Sequence, residues 1–418
     1  MSNLEVKYKE TIISEPWRML LCLLMAQLLI AFVGRSIGPL GVLIGEDLSL
    51  TKSQIGMLPA ALFLGQALVS VPAGFLTDRF GSRSLLILAA ISLGIGFLIM
   101  TFSSHFWLVL FLVMIGGIGY GAMHPITNRG IIDWFSLKQR GTAMGIKQTG
   151  VTAGSALAGL ILLPLSVEYG WRWVLLAACI LLIISGFVSY SLYRDPANQR
   201  KAAKSLSLVD FYKSMFGMLK NKPLMLVNFS AIGLNGSQMC LNTYLVLFVY
   251  EKFGISLVLA GVLFVISEIS GTFGRVAWGM ISDFLFKGNR IVILLMITAL
   301  TAISSTIVAL IPSATFWMLV PVVILFGFSI SGFNGIWMNL ASEIVPPEQA
   351  GISSGVSITF GSIGVMIVPP LFGFMVDQTG SFTFGWVFIT GLMVIVFLML
   401  YFLLRMNSRK DRHSLEDV

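Results

Sequence analysis

Long apolar runs alternate with short polar connections along the whole chain. A helix crossing a bilayer core needs roughly 20 apolar residues. Runs of about that length predict spans over residues 17–44, 53–77, 84–103, 106–131, 141–165 and 171–193, then 223–250, 256–284, 291–311, 315–341, 350–376 and 382–404. The expectation is an all-α membrane protein of about twelve transmembrane helices. The longest polar stretch, residues 194–222, divides them. It separates an N-terminal six-helix unit (1–193) from a C-terminal one (223–405), which ends in a tail (406–418). Within the linker, Leu208, Phe211, Met215, Met218 and Leu219 recur at helical spacing opposite Asp210, Lys213 and Lys220. That pattern fits a helix lying on the inner membrane surface, with a disordered tether as the other reading.

Composition removes the soluble alternative. Of 418 residues, 56% are hydrophobic and only 11% charged, and the mean hydropathy is +0.91. The net charge of +8 does not indicate nucleic acid. Its lysines and arginines gather in alternate connections: Lys7, Lys9 and Arg18, then Arg79 and Arg83, Lys138 and Arg140, the linker, Lys287 and Arg290, and the tail. Glu46, Asp47, Glu168, Glu251 and Asp377 mark the opposite side. By the positive-inside rule the basic side faces the cytoplasm of a plasma (cytoplasmic) membrane, and both termini lie there. Cys22, Cys179 and Cys240 sit singly inside apolar runs, without disulfide or metal spacing. The polar start of the chain carries no pattern of a cleaved signal. No nucleophile–base set, metal cluster or nucleotide loop is found, so neither enzyme, metal nor cofactor is expected.

Two matches point to an internal repeat. Gly74 and Asp78 correspond to Gly279 and Asp283, each pair a G-x-x-x-D closing the second span of its half, with Arg290 following as Arg83 does. Asp133, Gly141, Gly145 and Gly154 align at constant offset with Glu343, Gly351, Gly355 and Gly364. Duplicated halves about a central site are a common build for carriers. Gly74 reads as a close helix crossing. The stretch AGFLTDRFGSRSLL, Ala73 to Leu86, resembles the signature of the major facilitator superfamily of secondary transporters, with Ser82 where that family usually has a basic residue.

Ionisable side chains at bilayer depth are functional candidates by default. Arg35, Lys147, Glu268 and Arg275 qualify. Lys147 lies about 10 Å along its helix from the cytoplasmic end, and Glu268 and Arg275 lie about 10 Å apart on one helix face. Other readings stay open: Arg35 snorkelling outward, Arg275 closing the charge cluster around Asp283, Glu268 bonding a neighbouring helix. Arg129 precedes Asp133 by one turn and reads as a gate pairing before a substrate contact. Three fixed cations and one titratable acid make the cavity net positive, which favours small anions. Asn235, Gln238 and Asn242 share a helical face. Tyr244, Asn334, Trp337, Asn339, Tyr120, His124 and Asn128 complete the candidate lining. For His124 a proton relay and a plain helix hydrogen bond are both open.

The resemblance implies two pseudo-symmetric six-helix bundles, alternating access, and a cavity lined by the first, fourth, seventh and tenth spans. It also implies a cytoplasmic latch formed by Asp78, Arg79 and Arg83, extended by Asp133 and Arg140. The stretch from Pro125 through Asp133-Trp134-Phe135 to Arg140-Gly141, with Arg35, resembles organic-anion symporters that carry sugar acids. Gly34 and Tyr120 stand where those carriers have acids. Gly274-Arg275 with Gly279 and Asp283 resembles monocarboxylate carriers. The expected function is proton-coupled symport of a small organic anion, a monocarboxylate or sugar acid, by a monomer in membrane lipid. Arg275, Lys147 and Arg35 would bind the anion and Glu268 would take the proton. An exporter of amphiphilic compounds or an anion exchanger is the alternative.

Overall fold

A computed structural model describes residues 15–196, 217–346 and 349–416. Its described residues include twelve helices long and apolar enough to cross a membrane. α1 runs Glu15–Gly34 and, past a turn at Arg35 and Ser36, Ile37–Asp47. α2 is Lys52–Phe80, α3 Ser82–Met100 and α4 Phe106–Trp134. α5 begins as Leu137–Leu157, passes through a π-helical turn, Ala158–Leu162, and ends as Leu163–Tyr169. α6 is Trp171–Leu192, α7 Lys222–Phe253, α8 Leu257–Phe284 and α9 Arg290–Leu310. α10 breaks between Phe316–Ile330 and Asn334–Glu343. α11 is Ala350–Thr379, and α12 runs Phe382–Glu416. The expected linker helix involves Leu208, Phe211 and Met215, which lie outside the described residues.

Local signals set the ends. Thr51 and Gln54 form a reciprocal capping box at the start of α2, with bonds of 3.2 and 3.0 Å. Asn221 and Ser256 cap α7 and α8, and left-handed glycines, Gly254 and Gly380, stop α7 and α11. In the first bundle α2 and α3 pack on α4, α1 on α5, and α3 on α6. In the second, α7 packs on α11, α8 on α10, and α9 on α12. The bundles meet through α2 with α11, α5 with α8, and the outer part of α1 with α7.

Polar bonds between the bundles concentrate at the acidic end. Both carboxylate oxygens of Asp377, in α11, accept from the backbone N–H groups of Lys52 and Ser53 at 2.8 Å, so one bundle caps a helix of the other. Lys52 Nζ also pairs with Glu251 of α7. Beneath them the fully buried Tyr244 hydroxyl contacts two carbonyl oxygens, Lys52 O and Pro369 O, each at 2.8 Å. Its ring stacks on Phe372 at 4.5 Å. Gly56 and Gly373 make this junction possible, because a Cβ at either would run into the Tyr244 hydroxyl and neighbouring backbone.

The basic end is parted. Among the described residues, no hydrogen bond or ion pair joins the bundles there. The close crossing expected at Gly74 is not made: nothing lies within 4 Å of where its Cβ would be, and the same holds for Gly279. The separation of the bundles at this end removes the surface on which those glycines would pack.

Candidate functional site

The α1 break supplies the first element. Gly34 is closely overlaid by the Tyr120 ring, whose Cδ2 would lie 2.6 Å from an added Cβ. The turn that follows hands Arg35 to that same tyrosine: Arg35 Nε donates to the Tyr120 hydroxyl at 3.0 Å. Arg35 therefore does not snorkel outward. Its Nη1 is buried without a hydrogen-bond partner among the described residues. It borders a small cavity of about 20 Å³ lined by Pro59 and Phe63 of α2, Ser155 of α5, Asn242 of α7 and Phe264 of α8.

Glu268 reaches this place from the opposite bundle. It is 2% exposed and within Coulombic reach of both Arg35 and Arg275, and Ser155 and Asn242 lie beside its carboxylate. Oε1 has no hydrogen-bond partner among the described residues. Arg275 is held by its Nε, which donates to Ser331 O at 3.1 Å. Ser331 lies in the α10 break, where a carbonyl has lost its helical donor. Sequence spacing brought Glu268 and Arg275 onto one face. The structure adds Arg35 to them, so the charged core spans both bundles.

Lys147 lies further along. It is 2% exposed, and Nζ donates to Asn128 Oδ1 at 2.8 Å. His124 stands within the field of both Lys147 and Arg35, and its ring meets Tyr120 edge-on at 6.4 Å. Tyr120 is thus an orienting contact for Arg35 rather than an open lining residue. On the second bundle Gln238 Oε1 accepts from Asn334 Nδ2 at 3.4 Å, and Asn235 bonds back to Ala231 O at 3.0 Å. Asn235 and Trp337 pack on Gly361 of α11. The three amides expected on one face therefore separate: Asn242 borders the charged cavity, and the other two serve contacts within their bundle.

At the basic end each half holds an arginine between two carboxylates. Arg129 pairs with Asp78 at 3.2 Å and Asp133 at 3.0 Å. Arg290 pairs with Asp283, with Glu343 at 3.4 Å, and with the Ser282 hydroxyl at 2.7 Å. The expected equivalence of Arg83 with Arg290 does not extend to their side chains. Arg83 turns to Tyr190, donating to its carbonyl at 2.6 Å and stacking on its ring at 4.3 Å. Arg79 lies against Phe80, and Arg140 donates to Phe135 O and Ile132 O. None of these three pairs with an acid among the described residues. Asp195, unremarked in the sequence, accepts from the Ser82 N–H at 3.1 Å and the Arg83 N–H at 3.3 Å. Burial raises its carboxyl above the ordinary value, opposed by those amides.

Ser155, Ser331 and Asp195 had no signal in the sequence. Asn128 and Tyr244, expected in the lining, serve here as the partner of Lys147 and as a seal between the bundles. With Tyr120 and His124, Asn128 makes a polar stripe at four-residue spacing.

These charged elements within a twelve-helix double bundle define a membrane carrier, and the comparisons agree. The model of the Major Facilitator Superfamily matches residues 23–365, with a second match over 288–417. The chain belongs to that superfamily. It is 24% identical over 369 residues to a hexuronate transporter of Bacillus subtilis (strain 168), covering 84% of this chain and 86% of that protein. It is also 24% identical over 392 residues to a probable galactarate/D-glucarate transporter, GudP, of the same organism, covering 86% and 85%. In fold it is similar to a bacterial homolog of the human lysosomal transporter Spinster, crystallised inward-facing and unoccupied. The TM-score is 0.78 at 18% identity, covering 94% of this chain and 98% of the other.

Proposed function

We propose that this protein takes up a small organic anion by proton-coupled symport, with Arg35, Arg275 and Lys147 binding the anion and Glu268 accepting the coupling proton. One observation carries the reading. Between the bundles lies a buried cluster of net positive charge in which a guanidinium nitrogen of Arg35 and a carboxylate oxygen of Glu268 have no partner. A group buried at membrane depth without a partner is costly, and an incoming carboxylate would satisfy the first. A proton would satisfy the second. Similarity to carriers named for hexuronate and for galactarate/D-glucarate supports an acid of that kind.

The basic end faces the cytoplasm by the positive-inside rule, which makes the observed conformation inward-facing and puts both termini inside the plasma membrane. The arginine–carboxylate groups of that end, with Gly74 and Gly279, form the surfaces that close when the site turns outward. One bundle pair holds the whole charged core, so the monomer suffices.

The test is uptake by proteoliposomes. Arg275→Ala is expected to lower uptake of the anion at least a hundredfold; unchanged uptake removes Arg275 from the site. Glu268→Gln is expected to retain counterflow exchange while losing accumulation driven by a proton gradient. Full accumulation in that variant excludes Glu268 from coupling.

A further inference from the structure

Lys147 is a buried cation with no counter-charge. Its Nζ is bound by the neutral amide of Asn128, and no carboxylate among the described residues forms an ion pair with it. The acid of the core, Glu268, acts on Arg35 and Arg275 instead. An isolated charge at this depth is costly unless something neutralises it.

The geometry along α4 shows where that something sits. Tyr120, His124 and Asn128 follow one another at four-residue spacing on one face of α4, a rise of about 12 Å from first to last. Tyr120 holds Arg35 at one end of this stripe, Asn128 holds Lys147 at the other, and His124 lies in the field of both cations. Two cation sites are thus held apart on one bundle, with an imidazole between them whose ring nitrogens can donate or accept a hydrogen bond.

We infer that the substrate is a dianion: an organic acid with an anionic group at each end, one end on Arg35 and Arg275 and the other on Lys147. This rests on the reading of the site as an anion carrier and narrows it. Charge supports the assignment: Arg35, Lys147 and Arg275 contribute +3 and Glu268 −1, leaving +2. A dianion brings the site to zero with Glu268 ionised and to +1 once Glu268 takes the coupling proton, whereas a monoanion leaves it at +1 and +2, so the dianion is the better match in either state. Hydroxyls along the chain of the acid would face His124. Lys147 is therefore the residue that distinguishes two charges from one.

Matched acids provide the test: D-glucarate against D-gluconate, and adipate against hexanoate, each pair sharing a six-carbon chain and differing by one terminal carboxylate. Calorimetric affinities of the purified protein are expected to favour the dianion of each pair by at least about tenfold. In Lys147→Gln that ratio falls to near one, and Lys147→Arg restores most of it. Asn128→Asp supplies Lys147 with an internal anion and keeps the lysine in place. It is expected to erase the preference as well, and it serves if the glutamine variant fails to fold. A wild-type protein that binds both members of a pair equally, or a folded Lys147→Gln that keeps the preference, overturns the dianion and leaves the carrier reading standing. Binding of none of the four acids overturns both.

Discussion

The two ends of the double bundle hold similar charged groups and use them in opposite ways. At the acidic end the polar contacts cross between bundles: Asp377 on the amides of α2, Lys52 on Glu251, Tyr244 wedged over Gly56 and Gly373. At the basic end the arginines stay within their own half, Arg129 between Asp78 and Asp133, and Arg290 between Asp283 and Glu343. One set therefore fixes which end is shut. The other set reinforces each half and keeps its charges satisfied while the end is open. The repeat places the four carboxylates alike and draws the arginine from different helices, from within α4 in one half and from the first residue of α9 in the other.

The contrast predicts how far each end controls the carrier. The largest effect is expected from locking the shut end. Cysteines in place of Lys52 and Glu251, bridged by a short reducible bifunctional thiol reagent, should stop transport entirely and release it on reduction. Uptake by the cross-linked protein would mean that this end does not open. Next comes Asp377→Asn, which weakens a charged cap formed across the bundles. It should raise by about fivefold the rate at which an impermeant thiol reagent reaches, from the acidic side, a cysteine replacing Met239, which lines the cavity beside Arg35. An unchanged rate would show that the seal does not need that carboxylate. The smallest effect is expected from Arg129→Gln, since the pairs it loses are partly exposed and worth about 1 kcal/mol together. The melting temperature should fall by about 1 °C with the same thiol reactivity; altered reactivity would break the division between the two ends.

Much of the architecture was legible because a bilayer imposes length and apolarity on each span, and those are properties of consecutive residues. The depth of Lys147, Glu268 and Arg275 was legible for the same reason. Their partners were not. Asn128 meets Lys147 only through the packing of α4 on α5, and Arg275 finds Ser331 only because α10 breaks there. The repeat set Arg83 beside Arg290, yet the turn after α2 aims Arg83 at Tyr190, and in this half the acid Asp78 pairs with Arg129. Gly74 reads as a close crossing because small residues mark crossings, but in this structure the parted bundles leave nothing within 4 Å of where its Cβ would lie. Tyr244 reads as cavity lining from its span, whereas two glycines on other helices turn it into a seal.

The π-helical turn of α5 has a bearing on how this chain can vary. Ala158–Leu162 fits an extra residue into one winding, between the segment of α5 carrying Lys147 and Ser155 and the segment near Gly261 of α8. Because the winding takes up the extra residue, the segments on either side keep the facing an unbroken helix would give them, and deleting a single residue there would relax the turn to an ordinary helix with Lys147 still on Asn128. A deletion between Lys147 and Ser155, where the helix is regular, would instead rotate those two side chains against one another by about 100°. The length of α5 therefore has play at this winding and none between the two residues that border the site.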